Sequence, residues 1–467
     1  MNFFNLLNNY DQSKIILFQE IIDNLPERKL QLKSFKESKG LSSYRLNSLL
    51  ENLNDDIYQV TGNNGFQIES HQLICDENLD RKVFNKLKDY YFKFSLQREL
   101  AIGFLKTGEF PDHKKMEIDF NWNRTSFYQQ KNKLLQFANE FLQNRQLNET
   151  LIRYLLFNVF DFFDDPIRPD FSYPVSLKIS LTHLNPSQRR KLKLIYKIIY
   201  FRTSKQFYVV PKNLLITQVD NKTSQIIQTL PIQKQYLKSE NIFLNQFLYH
   251  IGIKKVELLQ PKYLETKHQK YFLQIKKIIL RHFLNLTGQQ KQVSDQVLLY
   301  FSSTLAIYLA LEKYKNIVNE QISNKNFDYL YNLHPRLSQT VAEIIKEIDK
   351  NVTQVYGYER LHFDLMAAAF LGPFKIFQTD IVHICLDFAG GYYTNSFIER
   401  LFKKFLNFEI QVDDYIGPET DLYVTDQYNK KHDEIPQIVW LRTPTLYDWL
   451  HLTRKIEEVK RNRLQKA

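Results

Sequence analysis

The chain of 467 residues is long enough to form several hydrophobic cores, and 43% of its residues are hydrophobic. Its 12 glycines and 14 prolines are too few for a disordered or low-complexity protein. The net charge of +12 favours polyanionic partners without specifying which one. The two cysteines exclude a disulfide scaffold and a cysteine metal framework, and they suit a reducing compartment.

The sequence lacks the signals of membrane insertion, secretion and catalysis. No apolar run approaches the roughly 18 residues that a transmembrane helix needs, and the start, MNFFNLLNNYDQSK, does not resemble a signal peptide. We therefore expect a cytoplasmic protein without a membrane partner. Because we find no glycine-rich phosphate motif, metal-ligand spacing or catalytic pair, we expect no enzyme activity, no cofactor and no bound metal.

Residues 1–72 predict a winged helix-turn-helix. Ser42 is a good N-cap for the helix that follows it. The apolar stripe of this helix comprises Leu46, Leu49, Leu50, Leu53 and Ile57. Its outward face comprises Tyr44, Arg45, Asn47 and Ser48. Alternation predicts strands over residues 57–61 and 66–70, with Asn63 and Asn64 in the turn of a wing that lies against DNA.

Residues 73–163 predict a second helix-turn-helix. Residues 81–107 are expected to be helical. A short helix from His113 and, after an Asn123 cap, a longer helix follow them. The inward positions of the longer helix are Phe127, Leu134, Ala138 and Phe141, with Leu135 beside them. Lys131 departs from this pattern. The outward positions are Arg124, Ser126, Gln129, Gln130 and Lys133. Such side chains bind base edges and phosphates, so this face is a candidate DNA contact.

The predicted secondary structure of the rest of the chain changes once, near residue 379. Residues 164–378 are nearly all helical in pattern, whereas residues 379–467 alternate strands with helices, as a small α/β domain does. The overall prediction is a multidomain, mainly α protein. It has two N-terminal helix-turn-helix units, helical domains in the middle and a small C-terminal α/β domain.

Three segments carry a resemblance to a known family. The segment LSSYRLNSLLENLNDDI resembles the first helix-turn-helix of the Mga family of transcription regulators, which includes the AtxA-like regulators. The stretch from Phe110 to Leu142 resembles the second. The segment after it resembles that family's Glu-x-x-Ile-Arg motif, with matching residues at Glu149, Ile152 and Arg153. The usual preceding glycine is Asn148 here, and the wing of the second unit is short.

The resemblance implies a DNA-binding transcription regulator, an activator of the kind that controls virulence genes. It implies two PRD-like bundles over residues 164–262 and 263–378, which phosphotransferase-system proteins would regulate by phosphorylating histidine. The candidate phosphorylation sites are His183, His334 and His362. It also implies an enzyme-IIB-like domain over residues 379–467 that would hold a homodimer. Cys385 precedes Asp387 within a strand, so we interpret it as structural and not as a phosphorylated thiol.

Two alternatives stay open at this point. One is an RNA-binding antiterminator, a class that shares PRD-like domains but begins with a small β-domain. The other is a regulator whose winged helices bind only protein. Preference for hairpin RNA would indicate the first, and the absence of salt-dependent DNA binding would indicate the second.

Overall fold

The computed structural model describes most of the chain in segments. The described residues are 3–23, 29–33, 40, 42–69, 72–76, 79–120, 122–142, 148–165, 167, 171–174, 184–210, 221–251, 253–254, 266–287, 331, 334–352, 358, 361–363, 365–366, 381–389, 392–406, 410–440 and 444–466. They are mainly helical, with a small parallel sheet near the C-terminus, which confirms the mainly α class. The chain forms two compact units, residues 1–254 and 255–467. None of the described helices combines the length and hydropathy needed to cross a bilayer.

The first unit begins with a short 3-10 helix, Phe3–Leu6, and a helix–strand–helix–hairpin arrangement. Its elements are α1 (Asn9–Asp23), β1 (Lys29–Gln31), α2 (Ser43–Thr61), β2 (Phe66–Glu69) and β3 (Gln72–Cys75). The three strands form an antiparallel sheet in the order β1-β3-β2. Ser42 caps α2 by accepting a hydrogen bond from the Arg45 amide at 3.2 Å, and the predicted apolar stripe is buried. The predicted cap and stripe are therefore confirmed.

The predicted strand over residues 57–61 is wrong, because α2 continues to Thr61. Ile57 extends the stripe four residues beyond Leu53 and is buried with it, so burial favours another turn of helix. Gly62 then ends the helix at φ +80°, a conformation that favours glycine. The hairpin consists of β2 and β3, and Asn63 and Asn64 lie in the connection between α2 and β2.

Five helices follow the hairpin. They are α3 (Arg81–Lys93), α4 (Leu96–Thr107), α5 (His113–Phe120), α6 (Arg124–Leu142) and α7 (Glu149–Phe162). Residues 81–107 are helical as predicted, but they form two helices, because buried Ser95 caps α4 through the Arg98 amide and separates it from α3. Helix α3 packs against α1 and α2, whereas α4 packs against α6. The domain boundary predicted after residue 72 falls within β3.

Three more described helices complete the first unit: α8 (Pro186–Thr203), α9 (Asn221–Ile227) and α10 (Leu237–His250). Asn185 and Gln188 form a reciprocal capping box at the start of α8. Helix α8 packs against both α7 and α4, and α9 packs against α10. A short 3-10 helix, Lys234–Tyr236, leads into α10. Helix α7 is buried on nearly every side, so it is the centre of this part of the unit.

The second unit contains a helical pair and an α/β layer. The helices α11 (Thr266–Thr287) and α12 (Pro335–Asn351) pack together. The layer comprises β4 (Val382–Asp387), α13 (Tyr392–Phe405), β5 (Ile410–Asp413), β6 (Leu422–Thr425), the 3-10 helix Lys430–His432, β7 (Gln437–Val439) and α14 (Leu446–Lys466). All four strands are parallel, in the order β5-β4-β6-β7. Residues 288–330, which belong to the segment predicted to be nearly all helical, lie outside the described residues.

Candidate nucleic-acid interface

The first turns of α2 project from the first unit. Tyr44 is 87% exposed, and Arg45 and Asn47 are exposed beside it. Ser48 is half-buried, and its carbonyl oxygen accepts a hydrogen bond from the Asn52 side chain at 2.7 Å. Because the Ser42 cap fixes the helix start, this turn presents an aromatic ring, a guanidinium and an amide at defined positions.

Acidic side chains follow on the same side of α2. Glu51 and Asp55 lie seven and eleven residues after Tyr44, so all three share one helical face, and both carboxylates are exposed. Negative charges at these positions would repel DNA phosphates. Only the first turn and a half of α2 can therefore approach a phosphate backbone favourably.

Asn63 and Asn64 are exposed, but they occupy a different place from the predicted one. Thr61 accepts a hydrogen bond from the Asn63 amide at 3.1 Å, and Asn54 accepts one from Gly65 at 2.8 Å. These contacts tie the connection to the end of α2. Residues 70–71, between β2 and β3 in the sequence, lie outside the described residues.

The start of α6 matches its prediction. Asn123 accepts a hydrogen bond from the Ser126 amide at 2.7 Å, which confirms the predicted cap. Phe127 and Leu134 are buried, as predicted, and Phe137 joins them. Leu135 is exposed, so its predicted place beside the buried face is wrong.

The outward face of α6 is rotated from the predicted one. Its exposed side chains are Arg124, Thr125, Tyr128, Gln129, Asn132 and Gln136. The Arg124 guanidinium lies 5.9 Å from the centroid of the Tyr128 ring, a distance at which a cation–π contact restrains both side chains. No acidic residue occurs between Arg124 and Asn139. The sequence interpretation missed the contributions of Tyr128, Asn132 and Gln136 to this face.

Three of the predicted outward residues lie at the edge of the buried face. Ser126, Gln130 and Lys133 are half-buried. Gln130 accepts a hydrogen bond from buried Gln97 on α4, and the Lys133 ammonium donates to the Leu7 carbonyl at 2.9 Å. Burial lowers the pKa of Lys133. The predicted outward positions of Gln130 and Lys133 are therefore wrong, because α6 docks on α4 and on the N-terminal segment.

Lys131 occupies a position that the helical pattern predicts to be apolar, and its aliphatic stem explains how it is accommodated there. Its ammonium lies 5.3 Å from the Phe110 ring centroid, and the side chain is half-buried. The stem packs while the charge stays near the surface.

A buried network of arginine and glutamate lies behind these helices, and it contains the Glu149 and Arg153 of the motif. Arg153 and Glu240 are both fully buried. The Arg153 guanidinium donates to Glu240 and to Glu149, each at 2.9 Å, and also to the Phe207 carbonyl at 2.9 Å. Glu240 accepts a further hydrogen bond from the Val209 amide at 3.0 Å. Every charge in this set is hydrogen-bonded to an opposite charge.

Arg202 extends the network to the candidate DNA-binding helices. It donates to Glu149 at 2.6 Å and to the Phe104 carbonyl of α4 at 3.2 Å. Its guanidinium also lies 4.2 Å from the Phe207 ring centroid. The same ring covers Gly108 at the end of α4, where an added Cβ would lie 2.3 Å from a ring atom. The network thus joins α4, α7, α8 and α10.

The candidate phosphorylation sites are not all described. His183 lies outside the described residues. His334 is 4% exposed and His362 is 7% exposed. Burial, with Lys460 nearby, lowers the pKa of His334 to about 4. His362 stacks on Tyr331 and contacts Ser338. A phosphoryl donor could not reach either ring in this conformation.

Cys385, in the second unit, is not exposed as a reactive thiol would be. Cys385 is buried within β4, and burial and neighbouring carboxylates raise its pKa to about 11, so the thiol stays protonated at neutral pH. Among the described residues, no three His, Cys, Asp or Glu side chains are placed to hold a metal ion.

No protein-family model matches the chain, and no curated protein matches it.

Proposed function

We propose that the chain is a DNA-binding transcription regulator of the Mga type that contacts duplex DNA through α2 and α6. One observation carries the proposal. Each of these helices is capped by a side chain, and each exposes an arginine and a tyrosine near its N-terminus. These pairs are Tyr44 with Arg45 and Arg124 with Tyr128. The N-terminal residues of a recognition helix are the ones that reach base edges in the major groove.

The local folds support this proposal. The described elements of residues 9–75 support a winged helix, in which three helices precede the hairpin: α1, β1, α2 and the β2–β3 hairpin follow one another in that order, and β1 adds a third strand to the hairpin. Helix α5 precedes α6 across a short connection, as the first helix of a helix-turn-helix precedes the second. The net charge of +12 favours association with a polyanion.

The remaining parts of the proposal rest on the resemblance. The helices of the middle segment would be PRD-like bundles, and the parallel sheet of residues 382–439 would belong to an enzyme-IIB-like domain that holds a dimer. His183 is the remaining candidate for phosphorylation, because His334 and His362 are buried. Sedimentation of the full chain over a concentration series should give a dimer. A monomer at every concentration would remove dimerisation from the proposal.

The primary test is binding of the full chain to a mixed pool of duplex DNA over a salt series. We expect log affinity to fall linearly with log salt concentration, because phosphate contacts release counterions. If hairpin RNA displaces the duplex DNA from the protein, the result would instead support the antiterminator hypothesis. An absence of DNA binding at low salt would overturn the proposal.

A protein-binding role for α2 is a second candidate, and the exposed carboxylates of Glu51 and Asp55 favour it. A basic partner surface would pair with these side chains where DNA would be repelled. In the same assay, Tyr44→Ala and Arg45→Ala together would leave DNA affinity unchanged if α2 binds only protein.

A further inference from the structure

The amide side chains on the outward face of α6 indicate which bases this helix would read. We propose that Gln129 and Asn132 bind adenine in the major groove, so that the second unit selects duplex sites rich in A·T pairs. The inference rests on the proposed function and goes beyond it by naming the class of base pair.

Both amides are exposed and available. Gln129 and Asn132 make no hydrogen bond or ion pair to any residue that the structure describes. Gln130, between them, has the same chemistry but is half-buried and accepts a hydrogen bond from Gln97. The outward face of α6 therefore carries two exposed amides without a partner among the described residues, Gln129 and Asn132, whereas Gln130 and Gln136 on the same helix are paired within the protein.

The spacing suits a run of base pairs. Gln129 and Asn132 are three residues apart, so they share a face and are separated by about 4.5 Å along the helix. Neighbouring base pairs are stacked about 3.4 Å apart, which lets two side chains at this spacing reach adjacent pairs. Both residues lie within the first three turns after the Asn123 cap, near the end of the helix that enters the groove.

The chemistry of the amide selects adenine. An amide nitrogen donates to adenine N7 while the amide oxygen accepts from the adenine N6 amino group, which makes a bidentate pair. Guanine presents two acceptors at this edge and is read best by arginine or lysine. On this face the exposed cation among the described residues is Arg124, since Lys133 points to Leu7. Cytosine is read by carboxylates, which are absent from residues 124–139.

The test first selects bound sites from a randomised duplex library with the full chain. The best site is then rebuilt with 7-deazaadenine, which keeps Watson–Crick pairing but lacks the N7 acceptor. We expect affinity for the rebuilt site to fall by about tenfold for each adenine contacted through its N7. Replacing guanines of the same site with 7-deazaguanine should change affinity by less than about twofold.

Substitutions on α6 show which side chain contacts which adenine. Gln129→Ala and Asn132→Ala should each abolish the adenine preference at one position, and Gln130→Ala is the matched control that should keep both. Salt-dependent DNA binding without adenine preference, or without sensitivity to 7-deazaadenine, would overturn this inference and leave the proposed function standing. Failure of the unmodified chain to bind any duplex would instead overturn the proposed function.

Discussion

The outward faces of α2 and α6 differ from the buried network behind them, although both are rich in polar and charged side chains. On α6, Arg124 is exposed and its guanidinium lies near the Tyr128 ring. In the network, Arg153 is fully buried and divides its hydrogen bonds among Glu149, Glu240 and a backbone carbonyl. The first arrangement leaves a cation available to an external anion, whereas in the second the guanidinium is bound by carboxylates and a carbonyl within the protein.

This difference predicts two separate effects of substitution. Removing an exposed cation changes binding with little effect on folding, because water replaces the lost contact. Removing one partner of a buried ion pair leaves an unpaired charge in the interior, which is strongly destabilising. Stability and DNA affinity should therefore respond to different residues of the same unit.

The largest effect is expected for Arg153→Met. The substitution leaves Glu240 buried without its partner, so the free energy of unfolding should fall by about 3–5 kcal/mol. Denaturant unfolding of the full chain, with a signal that reports on the first unit, measures this free energy. Arg124→Met is the control and should change stability by less than about 0.5 kcal/mol. A loss below about 1 kcal/mol for Arg153→Met would show that the network is not a stabilising unit.

Asp89, on α3, is intermediate between the exposed Arg124 and the fully buried Arg153. Its side chain is half-buried, and the Lys88 ammonium lies 4.0 Å from its carboxylate. Burial raises its pKa to about 7, and Asp164 adds to the increase. The folded chain therefore holds this proton where the unfolded chain has lost it, so the contribution of Asp89 to stability is lost as pH rises from about 4 to 7.

Asp89→Asn removes this titration. Relative to the original chain, the variant should gain stability as pH rises from 4 to 8, because its amide remains uncharged. Thermal unfolding at several pH values measures the difference. Identical pH profiles for the two proteins would show that the Asp89 pKa does not differ between the folded and unfolded states.

A smaller effect, on binding alone, is expected for Arg124→Ala. Affinity for duplex DNA should fall by about 1 kcal/mol, and the slope of log affinity against log salt should decrease by about one. Lys133→Ala is the matched control, since its ammonium binds the Leu7 carbonyl within the protein. If Lys133→Ala reduces the slope and Arg124→Ala does not, the face of α6 that meets DNA is not the exposed one.

The smallest effect concerns the carboxylates of α2. Glu51→Gln with Asp55→Asn should raise DNA affinity a few-fold at low salt, and the gain should vanish at high salt. Glu434→Gln changes an exposed charge in the other unit and should leave affinity unchanged. An unchanged affinity in the double variant would mean that α2 lies away from the DNA.

The features that depend on residues close together in the sequence, such as the two helix caps and the apolar stripe of α2, were predicted correctly. Ser42 and Asn123 were identified as caps because a cap needs only its own helix. The stripe of α2 was predicted correctly by its spacing, but the helix continues to Thr61, beyond the predicted end. Ile57 continues the stripe of α2 and also begins a run that alternates like a strand, and burial in the core decides between the two.

The errors on α6 arise from contacts between distant parts of the chain. Gln130 is paired with a residue 33 positions away and Lys133 with one 126 positions away, so no window of sequence reveals either contact. The partners of Glu149 and Arg153 are likewise 53 and 87 positions away. The motif could be recognised by resemblance, but its role in joining four helices could not be predicted.

The buried network also determines how the protein can be divided. The predicted boundary after residue 163 lies between the motif and its partners, since Arg202 and Glu240 are supplied by α8 and α10. A fragment that ends there would expose the apolar surface of α7 and leave Glu149 and Arg153 to pair only with each other. A shortened DNA-binding protein cut from this chain should therefore retain residues through at least α10, and protease-resistant fragments of the intact chain should end beyond His250.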